Sequence, residues 1–123
     1  MQAQPPQLNL IVLRSSNLGE AAKFYREIGL VFTRHAHGSG PEHLAFELNG
    51  MVFEIYPLSA KSSPTTGVRI GFKVESVDEA LAKLSKIGAT VLTSPNDSEW
   101  GRRAVVKDFD GHAVELVTPK AIE

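Results

Sequence analysis

Hydrophobic and polar positions run through one order of patterns, and then through it again. Leu8-Asn9-Leu10-Ile11-Val12-Leu13 is apolar on both faces, as expected of an inner strand covered on each side. At Asn17-Leu18-Gly19-Glu20 an Asn cap and a Glu three positions on can satisfy each other's backbone donors at a helix start. Leu18, Ala21, Ala22, Tyr25 and Ile28 then recur at helical spacing until Gly29 stops the helix. Strands are predicted over 30–35 and 43–48. Asn49-Gly50 is the preferred dipeptide of a two-residue hairpin, so Met51 to Tyr56 should return antiparallel.

After a Ser/Thr/Pro-rich linker over 58–67, the order restarts. It predicts a strand over 68–74, a second capping box at Ser76-Val77-Asp78-Glu79, a helix over 77–87 and a stop at Gly88. Strands over 89–93 and 102–107 should be joined by a loop, Ser94 to Gly101, and Asp110-Gly111 marks the turn before a last strand over 112–118. Asn17, Glu20 and Gly29 correspond to Ser76, Glu79 and Gly88, each 59 residues on. Asn49-Gly50 and Glu54 correspond to Asp110-Gly111 and Glu115, 61 residues on, so the second unit carries two extra loop residues. Cap, helix stop, turn and terminal-strand Glu agree in order, which identifies an internal duplication. The chain is read as one domain, with one βαβββ unit over 8–57 and the other over 68–119.

Strand alternation assigns faces. Met51, Phe53 and Ile55 should meet the helix, leaving Val52, Glu54 and Tyr56 on the opposite face. In the last strand Val114 and Leu116 pack inward and Glu115 shares the other face with Ala113 and Val117. Two buried carboxylates cannot both ionise without a cation or proton between them. On the same parity Tyr56 and Lys73 are candidate ligand-binding residues. Trp100, the single Trp, sits beside Arg102 and Arg103 and is either a stacking lid over an aromatic or anionic ligand or an anchor for its loop. His35, His37 and His43 flank a Gly-rich turn and read as surface histidines, and His112 as a turn residue. Gly38-Ser39-Gly40 leads into a strand and is no phosphate loop.

Composition narrows the chemistry. The chain has 123 residues, 42% of them hydrophobic, enough for a core without staples. A formal net charge of −1 with interspersed signs offers nucleic acid no basic stripe. The absence of cysteine excludes disulfides, iron–sulfur clusters and thiol nucleophiles. No apolar run is long enough to span a bilayer. Residues 1–7 have neither a basic region nor an apolar core and read as a frayed leader and not a signal peptide, so the expected location is the cytoplasm. Asn96-Asp97-Ser98 reads as a polar loop.

The paired units resemble a known family on specific segments. These are Leu18 to Gly29 with Phe24-Tyr25, Ile70-Gly71-Phe72 through Ser76-Val77-Asp78-Glu79-Ala80, Trp100-Gly101-Arg102-Arg103, and Asp108-Phe109-Asp110-Gly111-His112-Ala113-Val114-Glu115-Leu116. They look like the vicinal oxygen chelate superfamily, which includes glyoxalase I, extradiol dioxygenases, fosfomycin resistance enzymes and bleomycin resistance proteins. The resemblance implies an α+β fold in which two βαβββ modules form an incompletely closed eight-stranded barrel around one cavity, often in a homodimer. It also implies that metal ligands, where present, come from the first and last strands of each unit.

Those positions here are Leu10, Glu54, Arg69 and Glu115. Leu10 cannot ligate, and Arg69 is a permanent cation. Two carboxylates are short of the three protein ligands of a catalytic zinc site, and no 2-His-1-carboxylate iron set is present at these positions. The expectation is therefore no cofactor, with Glu54 and Glu115 as the ligands should a metal bind, and with Arg69 lying between the two glutamates in the metal's place. Three functions stay open. One is a metal-independent small-molecule binder using Glu54, Arg69 and Glu115, with Trp100 and Arg103 at the rim. Another is a metal-dependent lyase, isomerase or dioxygenase with atypical ligands that could include His43. The third is a metal-free enzyme with Glu54 or Glu115 as general base beside Arg69.

Overall fold

The computed structural model describes residues 3–120, so the first two residues of the expected leader lie outside the described residues. The first unit runs β1 (Leu10–Ser15), α1 (Leu18–Glu27), β2 (Thr33–His35), β3 (His43–Leu48) and β4 (Met51–Pro57). The second runs β5 (Arg69–Lys73), α2 (Val77–Lys86), β6 (Thr90–Ser98), β7 (Gly101–Lys107) and β8 (Ala113–Pro119). Each unit makes its own four-stranded sheet, ordered β1-β4-β3-β2 and β5-β8-β7-β6, and the two sheets do not close. In both sheets the first strand pairs parallel with the last, and the other pairings are antiparallel.

The caps form as their side chains dictate. Asn17 Oδ1 accepts from the Glu20 N–H at 3.0 Å, and Ser76 Oγ from the Glu79 N–H at 3.2 Å. The reciprocal half of the first box is replaced: the Asn17 N–H donates to Ser15 Oγ at 3.1 Å. Asn49 and Gly50 have φ of 53° and 81°, the left-handed pair that a type I′ hairpin turn needs, and they join β3 to β4 as expected.

Three expectations are corrected. β1 is an edge strand whose one strand neighbour among the described residues is β4, and it is not covered on both faces: Leu8 lies outside it, and Leu10 is 47% exposed. The segment read as a loop over 94–101 is mostly strand. β6 continues through Asn96-Asp97-Ser98, with register breaks on either side of Thr93, and turns at Glu99-Trp100 into β7. Pro95 and the polar run hid this, since prolines and asparagines are tolerated at an edge strand with bulges. β2 is only three residues long and begins at Thr33.

One core serves both units. Phe53 and Ile55 from β4, Val114 and Leu116 from β8, and Phe24, Tyr25 and Leu84 from the helices form a single buried cluster. Ring pairs knit it together, with Tyr25 centred 5.3 Å from Phe53 and 6.0 Å from Phe72, and Phe53 5.8 Å from Phe72. The helix-facing sides of the two sheets therefore share this core, and the faces carrying Glu54 and Glu115 are turned away from it.

Candidate functional site

The outer face of the second sheet is built by β5, β7 and β8. The register sets Glu115 opposite Gly71 on β5 and Val105 on β7, with Arg103 opposite Val117 and Arg69 opposite Ala113. Both guanidinium groups converge on one carboxylate oxygen. Arg103 donates Nε–H at 3.0 Å and Nη2–H at 2.5 Å to Glu115 Oε1, and Arg69 adds Nη2–H at 3.2 Å. The Arg103 guanidinium, with Arg69 adding to it, holds the Glu115 carboxyl below the usual carboxylate range against the opposing effect of burial. The carboxylate packs over Gly71, where a Cβ would stand in van der Waals contact 3.6 Å from Glu115 Oε2.

The outer face of the first sheet has a different chemistry. Glu54 lies beside His43, with His43 Nε2 3.4 Å from Glu54 Oε2. His43 is buried at 1% exposure, which corrects its reading as a surface histidine. Its ring stacks on Tyr56 at 4.2 Å with planes 6° apart, and the Arg14 guanidinium carbon lies 5.3 Å from the Tyr56 ring centre. His35 and His37 are exposed, as expected, on the hairpin next to it.

The structure thus brings Arg69, Arg103 and Glu115 together and sets Glu54 and Tyr56 apart from them. Arg69 does not lie between the two glutamates: it pairs with Glu115, its side chain is 55% exposed, and among the described residues it makes no ion pair to Glu54. The reason is topological, since the sheets meet through their helix-facing sides. Trp100 is 70% exposed at the β6–β7 turn and packs no loop against the sheet. Lys73 lines an apolar cavity of about 320 Å³ between β5 and the helix-facing side of the first sheet, together with Ile11, Phe46, Met51, Phe53 and Phe72.

The four positions that the resemblance assigns to metal ligands do not fit a metal. Leu10 offers no donor atom, Arg69 brings a fixed positive charge, and the Glu115 oxygen that faces Arg103 and Arg69 is already saturated by three N–H groups. No three His, Asp or Glu side chains among the described residues already converge on one point.

A buried polar network that no sequence motif announced joins the two units. Asp108 Oδ2 accepts from Tyr25 Oη–H at 2.6 Å and from His112 Nδ1–H at 2.8 Å, and His112 Nε2 lies 2.7 Å from Thr65 Oγ1. Thr65 Oγ1 also accepts the Arg14 N–H at 3.0 Å, and Asp110 Oδ1 accepts from Ser16 N–H and Oγ–H. Burial pushes Asp108 upward, but the hydrogen bonds from His112 and Tyr25 outweigh it and hold the carboxyl low. Burial first, then the Asp108 charge, drives the Tyr25 phenol far up. His112 is at a turn, as read from the sequence, yet it is 1% exposed and belongs to this seam and to neither outer face.

Comparison with known proteins places this geometry. A profile described as the Glyoxalase/Bleomycin resistance protein/Dioxygenase superfamily matches residues 7–116. An uncharacterized protein of Mycolicibacterium smegmatis is 30% identical over 115 residues, 92% of this chain and 94% of that protein. Among solved structures, TnmS3, an antibiotic binding protein from Streptomyces sp. CB03234, superposes with a TM-score of 0.73 at 23% identity, covering 97% of this chain and all of that one. A glyoxalase-related enzyme from Fulvimarina pelagi superposes with a TM-score of 0.69 at 21% identity, covering 91% and 87%. At these identities the two structures establish the fold. No helix among the described residues is long and apolar enough to cross a membrane.

Proposed function

Because the chain belongs to the glyoxalase/bleomycin resistance protein/dioxygenase superfamily, we propose that it binds a small molecule at the superfamily's cavity without a metal there, as a sequestering protein. The observation that carries this reading is the saturation of Glu115 Oε1 by Arg103 and Arg69, which puts protein cations where a metal's charge would act. Two guanidinium groups against one carboxylate leave a net positive charge and spare N–H donors. That environment favours a ligand with an anionic group, and the exposed Trp100 offers its aromatic body a stacking surface. The antibiotic-binding protein of the same fold is consistent with this class of function.

The cavity is proposed to form in a homodimer. Within one chain the outer faces turn away from each other, and β1 and β5 keep one edge unpaired, with Leu10 and Val68 exposed beside them. A second copy that set one protomer's first sheet against its partner's second sheet would bring Glu54 and Tyr56 opposite Arg69, Arg103 and Glu115.

A second reading, metal-free proton transfer, draws on Glu54. Glu115 is the poorer base because Arg103 and Arg69 stabilise its ionised form.

The test uses EDTA-treated protein and anilinonaphthalene sulfonate, an aromatic anion, with binding followed by fluorescence and assembly by sedimentation. Saturable binding by a dimer, weakened about tenfold (~1.4 kcal/mol) in Arg103→Ala, is the expected result. Absence of saturable binding, or binding that returns only on adding a divalent metal, overturns the reading. A monomer at micromolar concentration removes the dimer from it.

A further inference from the structure

We propose that His43 and Glu54, closed by His37 and His35 from the β2–β3 hairpin, form a site for a zinc-class divalent cation that shares only Glu54 with the four superfamily positions described above. The inference does not rest on the proposed ligand cavity.

The argument begins with an orphaned atom. His43 is 1% exposed, and its Nε2 has no hydrogen-bond partner. The other ring nitrogen, Nδ1, lies 3.4 Å from the Pro41 carbonyl oxygen, so both ring nitrogens face oxygens that can only accept, while a neutral imidazole carries a single N–H. With that proton on Nδ1, a bare lone pair on Nε2 faces Glu54 Oε2 at 3.4 Å. Two acceptors held face to face in a buried place call for a cation between them. An imidazole anchored through Nδ1–H to a backbone carbonyl, with Nε2 turned toward a carboxylate, is also the arrangement that orients histidine ligands for metals. Tyr56, stacked at 4.2 Å, fixes the plane of the ring.

Two more imidazoles stand at the right range. The His37 ring centre is 5.2 Å from that of His43, and His35 is 6.0 Å from each of them. Metal–nitrogen bonds of ~2.0–2.1 Å at tetrahedral angles place two coordinated imidazole centres roughly 5 Å apart, so small rotations of exposed rings would complete the set. His35 keeps Nδ1 available, because its Nε2 lies 2.8 Å from Thr33 Oγ1. Imidazoles with one carboxylate suit zinc, nickel or copper and not the oxygen-seeking magnesium or calcium.

The experiment is equilibrium dialysis of tag-free protein against Zn²⁺, with Mg²⁺ in parallel and Co²⁺ absorption as a report of nitrogen coordination. The expected result is one Zn²⁺ per chain and no Mg²⁺, with uptake lost in His43→Gln and in Glu54→Gln. The double variant His35→Ala/His37→Ala alters only exposed side chains, and it should weaken Zn²⁺ at least tenfold even if the buried variants fail to fold. Substoichiometric Zn²⁺, or Zn²⁺ held equally well by that double variant, overturns the proposal and leaves a proton as the cation between His43 and Glu54.

Discussion

Tyr25 in α1 donates its hydroxyl to Asp108, 83 residues away, at 2.6 Å, and this buried bond ties the first module to the second. Both partners lie in the seam that the shared core creates. Replacing Tyr25 by Phe keeps the ring contacts with Phe53 and Phe72 and removes only the donor. The expected cost is about 1.5–3 kcal/mol, the usual range for a hydrogen bond to a charged group. Urea unfolding reads it, and an unchanged midpoint would show that the seam contributes nothing.

The same carboxylate sets a pH dependence. Asp108 is held below its unfolded-state pKa, so its contribution is fully present above the unfolded value of about 3.9 and is lost as pH falls through the lower folded value. Thermal melts at decreasing pH should therefore show an acid limb, and Asp108→Asn should flatten it. Glu115 is depressed too and has the same sign, so Glu115→Gln serves as the comparison that separates the two.

Arg103 makes the shortest contact to Glu115. In Arg103→Ala the Glu115 carboxyl should titrate closer to the ordinary glutamate value of about 4.3, as followed by carboxyl carbon NMR. Stability should change by less than about 1 kcal/mol, because the pair is partly exposed to water. A titration that did not move would assign the depression to Arg69 alone.

Gly101 opens β7 with φ of 127°, and a Cβ there would lie 2.1 Å from the Thr118 carbonyl oxygen. Gly101→Ala must displace β8 backbone and should cost about 3 kcal/mol or more. Gly50→Ala is the control. Its φ is 81° with nothing within 4 Å of the added carbon, so only the conformational cost of about 1 kcal/mol applies. Equal losses from the two substitutions would mean that the β7–β8 contact yields freely.

Some of the site could be read before any coordinates. The Asn49-Gly50 turn fixes the β3–β4 register, so Leu48 faces Met51 and Ala45 faces Glu54. Carried two residues further, that register sets His43 beside Tyr56 on the Glu54 face. Alternation therefore held the signal that His43 belongs to an outer face, and reading it as a surface residue gave the neighbouring Gly-rich turn too much weight. The Tyr25–Asp108–His112–Thr65 network had no such signal. Its members come from a helix, the β7–β8 turn and the linker, and no periodicity relates these three segments.

The duplication, the caps, the two helices, most strand positions and the parity that turns Glu54 and Glu115 away from the helices were determined by the sequence itself. Each depends on neighbours within a few residues, where steric and hydrogen-bonding preferences act directly. What only the tertiary structure decided is how the halves meet. Phe53, Tyr25 and Phe72 bury their rings together, and that common core turns the glutamate faces apart. Arg69 is thereby left with Glu115 alone, and Glu54 with His43. Burial of apolar surface is non-directional, so the pattern that marks which side chains go inside does not choose which module's apolar face they meet.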